Sequence, residues 1–290
     1  MEPWVLLLIG VIIAATVYAA WKQFSFSIIA SAVCVFTFIV MSLVGQNNWF
    51  TAEDQIAFSP VDLGDPARIY TLLTSMFAHA NLLHLLFNIL GLIFIGMVFE
   101  QRVGSRSFIL LFFLSGLAGT LVFAGLHWND SLILVLGASG AISGVLGAFA
   151  RLYPNEKMSM FIFFVPLPPM PIWIIVGLFV LIQLFLIPTS SQIAYESHLG
   201  GLAAGILLAP ILVKLPLHKG VRRTISLQAL RRLATTPALK SMLKRIEEES
   251  VPDVRNAWIE HFLSEARCPH CGAPLRVTKG ELACEKGHLL

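Results

Sequence analysis

Charge is what this sequence has least of. Only 13% of its 290 residues are Asp, Glu, Lys or Arg, while 57% are hydrophobic, about half the charged share of an ordinary water-soluble domain. The formal net charge of +3 follows from where cations fall between apolar runs, so no nucleic-acid or other polyanion partner is expected. Cysteine is scarce too: of four residues, Cys34 lies inside an apolar run and reads as a small buried group, and the other three gather near the C-terminus. No clean small-x-small cleavage site closes the first apolar run, Glu2 is its only early charge and Lys22 follows it. A retained helix is therefore expected rather than a signal peptide. No internal repeat is visible, which argues against transporters built from inverted halves.

What the chain has in quantity is long apolar runs. Seven stretches, about 3–20, 27–45, 81–99, 107–126, 134–150, 171–187 and 197–213, approach the roughly 20 residues a bilayer demands of a spanning helix. Lys22, Arg102, Arg106, Arg151, Lys157 and Lys214 fall in alternate connections, whereas the others (QNNWFTAEDQIAFSPVDLGDP, HWND, PTSSQIAYES) hold few cations. Cations accumulate on the cytoplasmic side, so the expectation is a multi-pass cell-membrane protein, N-terminus outside and C-terminus cytoplasmic. Four segments follow: an extra spanning helix at 1–23, a six-helix core at 24–215, an amphipathic helical linker at 216–266 and a small module at 267–290. A loop of about 35 residues joins the second and third spans, long enough to have structure of its own. With Trp49, Phe50 and Phe58 among its polar residues, part of it is expected in the membrane interface. The proline-rich run MFIFFVPLPPMPIWI is expected to be an interfacial re-entry rather than a helix. Arg222, Arg223, Arg231 and Arg232 in the linker suggest contact with anionic headgroups.

Polar groups inside spans are expensive and each is a functional candidate. His84 and Asn88 stand i, i+4 on one helix face. Ser139 lies in GASGAISG, and His198 in ESHLGGLAAG. All four fall near the outer ends of their runs, where three helices can join them in one cavity. A serine becomes a nucleophile when a base takes its proton, and a histidine suits neutral pH. Gly140 with Gly144, and Gly201 with Gly205, make two small-residue stripes that let membrane helices approach closely. Near a helix N-terminus, Ser139 would have free backbone amides beside it for a developing oxyanion, with His84 and Asn88 as further donors. Taken singly, each has a plainer reading: a serine bonded to a carbonyl one turn back, a histidine bridging helices or lining an ion path, glycines that only pack. Ser143, one turn deeper, is expected only to pack or to hydrogen-bond.

Over roughly 27–213 these motifs resemble the rhomboid intramembrane serine proteases. GASG with Gly144 resembles the nucleophile motif, SHLGG with Gly205 the histidine motif, and HANLLHLLFN the motif of the second core helix. The resemblance implies Ser139 as nucleophile, His198 as general base, and His84 and Asn88 as oxyanion stabilisers. EQRVGS, from Glu100 to Ser105, and Arg68 match structural elements. The chain departs from the family at Ala67, where Trp often stands, and at Ser143, where an aromatic often packs on the imidazole. The implied fold is all-α and polytopic: a rhomboid-like six-helix core plus one N-terminal helix. The implied activity is an endopeptidase whose substrates are membrane proteins with helix-destabilised transmembrane segments, needing no cofactor for catalysis. Two rivals stand beside it: a catalytically silent rhomboid-like protein that binds and escorts helices, and a proton-linked channel, which would need polar residues continuing into the cytoplasmic halves of the spans.

The C-terminal run CPHCGAPLRVTKGELACEKGH spaces Cys268 and Cys271 as C-x2-C, with Cys284 and His288 following. Two close pairs of thiol and imidazole ligands suit a closed tetrahedral zinc site, with His270 as an alternative ligand. A zinc-ribbon-like structural module that meets a cytoplasmic protein partner is expected, and a disulfide is disfavoured on the reducing side.

Overall fold

A computed structural model describes residues 1–46, 48–128, 130, 133–159, 161–162, 165–166, 168–186, 194–212, 227–249, 252–278 and 281–288. The chain divides into two compact units, 1–217 and 218–290.

The first unit is a set of apolar helices. Five are long and apolar enough to cross a membrane: α1 (Pro3–Lys22), α2 (Phe26–Val44), α4 (Leu82–Val103), α5 (Ser105–Leu126) and α8 (Tyr195–Leu212). Two shorter apolar helices are α6 (Ser139–Leu152) and α7 (Ile172–Leu186), and a short helix α3 (Trp49–Ile56) precedes α4. Each of the seven expected runs has its helix, but not always with the expected edge. The fifth was expected from 134, yet α6 starts at Ser139. The apolar residues before it are extended, and Val135 pairs backbone to backbone with Phe58. Hydrophobicity extends the expected run across Leu134–Leu136, but there the chain is extended and Val135 pairs with Phe58 of the loop.

Burial follows helical spacing. In α1, Val5, Leu8, Ile12 and Ala19 are buried along one stripe, while Leu6, Ile13 and Val17 are exposed; such outward apolar faces are what lipid solvates. Phe26, Phe108, Phe112 and Phe149 are fully buried in the main core. Phe26 meets Phe112 edge to face, with centroids 5.4 Å apart. The α4 helix contains a widened turn, Leu92–Gly96, where Gly96 faces the Ser27 hydroxyl of α2.

Two parts of the resembling motifs are fasteners. Glu100 accepts hydrogen bonds from Phe26 N at 2.6 Å, Ser27 N at 2.9 Å, Ser27 Oγ at 2.8 Å and Ser25 Oγ at 2.9 Å. Its carboxylate thus satisfies amides that the first turn of α2 leaves open. Arg102 pairs with Glu156 and lies 5.4 Å from the Phe149 ring centroid. The long loop has structure of its own. Buried Asp62 accepts from Ser59 N, Thr71 Oγ1 and Arg68 Nε, the last at 2.9 Å, and Arg68 Nη2 donates to Asp54 O at 2.6 Å.

The described residues of the proline-rich run are non-helical up to Ile172, where α7 begins. Short strands β1 (Lys157–Met158) and β4 (Met170–Pro171) pair antiparallel, as do β2 (Phe161–Ile162) and β3 (Val165–Pro166). Arg222, Arg223 and Lys214 lie outside the described residues.

The second unit holds α9 (Leu227–Leu233), α10 (Pro237–Glu248), α11 (Pro252–Glu265) and an antiparallel hairpin of β5 (Leu275–Thr278) and β6 (Glu281–Cys284). Leu230, Ile246 and Phe262 from the helices share one core with Cys268, Leu275, Leu282 and Cys284. The helices expected to form a linker therefore share a core with the cysteine module.

Candidate functional site

Ser139 is held from both sides. Before it, Phe58 N donates to Val135 O at 2.9 Å and Val135 N to Phe58 O at 2.8 Å, and Gly137 N donates to Ser75 O at 2.8 Å. Gly137 has φ +113°, a conformation that costs a side-chain-bearing residue about 1–3 kcal/mol. This turn changes an extended run into a helix, so that Ser139 is the first residue of α6. Its backbone N–H belongs to the helix end whose amides lack partners within the helix.

His198 lies in the first turn of α8, half-buried. The two helices meet along their glycines: a methyl group at Gly201 would strike the Gly140 carbonyl, and one at Gly205 the Gly144 carbonyl. Gly119 of α5 faces Ser197, completing a three-helix seam of small residues. Backbone-to-backbone approach brings the side chains together, and Ser139 Oγ stands 2.7 Å from His198 Nε2. Ser143 Oγ donates to Ser139 O one turn back at 2.7 Å, within the packing or hydrogen-bonding role expected of it.

His84 and Asn88 are less alike than the spacing implies. A Cβ built at Gly137 would stand 2.6 Å from His84 Nε2 and 3.6 Å from Ser139 Oγ, so the space left by the missing side chain separates these two groups. Asn88 is buried on the same helix; its Nδ2 donates to His84 O at 2.8 Å. Its Oδ1 has no hydrogen-bond partner among the described residues, nor has Nε2 of buried His79. The His79 and His84 rings meet edge to face at 5.1 Å.

One participant escaped the sequence reading. Gln183 in α7 is buried, and its Nε2 stands 2.8 Å from His198 Nδ1. The signal was present: IWIIVGLFVLIQLFL contains no other amide, hydroxyl or charged side chain, and a polar group inside a span is a functional candidate.

The second site lies in the other unit. Cys268, Cys271, Cys284 and His288 bring their ligand atoms within 4.8 Å of one another, and His270, the alternative ligand, stands outside this group. Among the described residues the four cysteines are free. Cys271 Sγ is 3.7 Å from Cys284 Sγ, and His288 Nδ1 is 3.8 Å from Cys268 Sγ and 3.3 Å from Cys284 Sγ. Thiolates about 2.3 Å from a tetrahedral zinc are about 3.8 Å apart, so the set fits such an ion. Gly272 at φ +68° and Gly287 at φ +85° close the two turns; Gly272 N donates to Cys268 O at 2.8 Å and Gly287 N to Cys284 O at 2.9 Å. Burial pushes the Cys284 thiol up, but hydrogen bonds from the His288 and Lys286 amides and the neighbouring thiols hold it down at about 6. Cys271 is raised: an Ala273 backbone hydrogen bond favours its thiolate, but burial and the neighbouring thiols outweigh it. Four ligand atoms so placed could hold one metal ion in a closed tetrahedral site.

Stacked apolar helices, five of them long enough to cross a membrane, define a polytopic membrane protein that encloses a serine–histidine pair. Residues 66–215 match the rhomboid domain, and the chain belongs to the rhomboid family. It is similar to RHOMBOID-like protein 12, mitochondrial, of Arabidopsis thaliana, at 30% identity over 48% of this chain and 45% of that one. It is also similar to Inactive RHOMBOID-like protein 8 of the same plant, 36% identical over 38% of this chain and 32% of that one. A third relative, Rhomboid-like protease 3 of Toxoplasma gondii, is 32% identical over 29% of this chain and 30% of that one. The chain spans less than half the length of these curated relatives.

Proposed function

We propose that this protein is an intramembrane serine endopeptidase. The observation that carries the reading is the 2.7 Å approach of Ser139 Oγ to His198 Nε2 between helices of a rhomboid-family fold. Ser139 attacks a peptide carbonyl, and His198 takes the hydroxyl proton and returns it to the leaving amine. Water then hydrolyses the acyl enzyme, with His198 again as base. The carbonyl oxygen occupies the space beside Gly137, where His84 and the Ser139 amide meet the developing charge; such a donor is worth about 3–4 kcal/mol. Asn88 supports this role through its remaining N–H and by holding the His84 turn.

Substrates are membrane proteins whose transmembrane segment unwinds easily, because attack needs an extended backbone. The alternation of Lys and Arg between connections supports a cell-membrane orientation with the N-terminus outside and the C-terminus in the cytoplasm. The Cys268, Cys271, Cys284 and His288 site binds structural zinc in a module that engages a cytoplasmic protein. A relative named inactive keeps one alternative in view, a silent protein that escorts membrane helices. Reconstitution with a single-pass substrate separates the two. The parent is expected to cleave, and Ser139→Ala and His198→Ala to lose more than about 10³-fold; cleavage by Ser139→Ala at the parental rate rejects the assignment.

A further inference from the structure

Resting on the protease reading, we propose that Gln183 is the positioning residue that decides which nitrogen of His198 carries its proton, and so whether Ser139 is activated. Three side chains from three helices stand in line. Gln183 Nε2 is 2.8 Å from His198 Nδ1, and His198 Nε2 is 2.7 Å from Ser139 Oγ. A neutral imidazole has one N–H and one lone pair. To take the serine proton, Nε2 must present the lone pair; Nδ1 then carries the hydrogen and needs an acceptor opposite it.

Gln183 supplies that acceptor by a half-turn of its amide. With Oε1 toward Nδ1, the ring holds its proton there and Nε2 accepts from the Ser139 hydroxyl. With the amide nitrogen toward Nδ1, the ring's proton sits on Nε2 and donates to Ser139 Oγ, an idle arrangement. The two orientations fill the same volume. When the Ser139 proton moves to Nε2, Nδ1–H stays in place and donates to Gln183 Oε1, so both N–H groups of the imidazolium are paired.

Among the described residues, Gln183 is the side chain bonded to Nδ1. Ser143, one turn after the nucleophile, is turned to Ser139 O and away from the imidazole. The aromatic rings of Phe179, 6.4 Å from the ring centroid, and Tyr195, 6.3 Å, bound the imidazole. Among the described residues, the titratable groups around His198 are His84 from α4, Tyr195 on its own helix, and Glu196, which pairs with His127, just past the end of α5, at 3.6 Å; α7 contributes no ionisable side chain. An uncharged amide orients the ring without lending it the negative charge that a carboxylate would.

The test uses the full chain in lipid bilayers with 15N-labelled histidine, read by solid-state NMR, beside substrate cleavage and labelling of Ser139 by a fluorophosphonate. The parent is expected to show His198 protonated on Nδ1, and Gln183→Leu or Gln183→Met to move that proton wholly or partly to Nε2. Either apolar variant should lower kcat and the labelling rate about tenfold or more, since an oriented base contributes about 10²–10⁴-fold, with KM within about twofold. Gln183→Glu restores an acceptor, should recover more of the rate than Leu, and should carry the acid limb of the pH–rate profile to higher pH, because a carboxylate favours the imidazolium. An unchanged His198 tautomer in the apolar variants overturns the proposal. So do equal losses in Leu and Glu with the acid limb unmoved, the outcome a merely space-filling role gives. A parent that neither cleaves nor labels, yet shows the tautomer exchange, rejects the protease reading and upholds the placement of the proton.

Discussion

At the scale of single residues, Gly137 carries more of the site than its lack of a side chain implies. Its φ of +113° and its contact with His84 mean that Gly137→Ala both strains the turn and fills the space beside the nucleophile. Activity should fall about 10²-fold, the cost of roughly 1 Å of misplacement; stability should fall by about 1–3 kcal/mol. Cleavage assays and unfolding in mixed micelles check the pair, and a loss of stability with activity intact would mean the space is not used. Ser139 and His198 were conspicuous because each is a polar group in an apolar run beside glycines, and His84 because it shares a helix face with Asn88. Gln183 was equally conspicuous in composition, but only the crossing of α7 and α8 pairs it with His198, and no spacing within one helix encodes that.

Among the elements, the seam between α6 and α8 sets the separation of the reacting groups. Gly205 faces the Gly144 carbonyl directly, so Gly205→Val forces the helices apart. We expect a loss of about 1–3 kcal/mol from overpacking, with cleavage lost more steeply than stability, measured by reversible denaturation beside turnover. On the opposite end of the core, Glu100→Gln removes the charge at the start of α2 and should cost about 1–3 kcal/mol while leaving the Ser139 labelling rate of folded protein unchanged. The GxxxG spacing made this seam readable in advance. The start of α6 was not readable, because Leu134, Val135 and Leu136 are as apolar as a helix while the backbone partner of Val135, Phe58, lies in a loop more than 70 residues earlier.

For the whole molecule, two units with separate cores divide the chemistry. Purified protein should hold one zinc per chain, and Cys284→Ser should lose it, as elemental analysis would record; metal-free parent after gentle preparation rejects the zinc assignment. Protons compete with the metal for thiolates. With Cys284 near 6, its thiolate is largely present above that pH and is lost below it, so affinity in a chelator competition should weaken as pH falls through about 6. The C-x2-C spacing announced the ligand set. That the helices of 227–265 and the hairpin share one core was hidden, since their apolar stripes are equally compatible with a linker lying on lipid.

The pairing of Phe58 with Val135 links a folded loop to the extended residues that lead into Ser139. The nucleophile therefore sits at a joint: one arm belongs to the glycine seam and the other to a strap anchored through the loop fold around Asp62 and Arg68. Cutting the strap, as a nick near Asp65 would, frees the approach to the serine without touching any reacting atom, so loop integrity and reactivity should fail together.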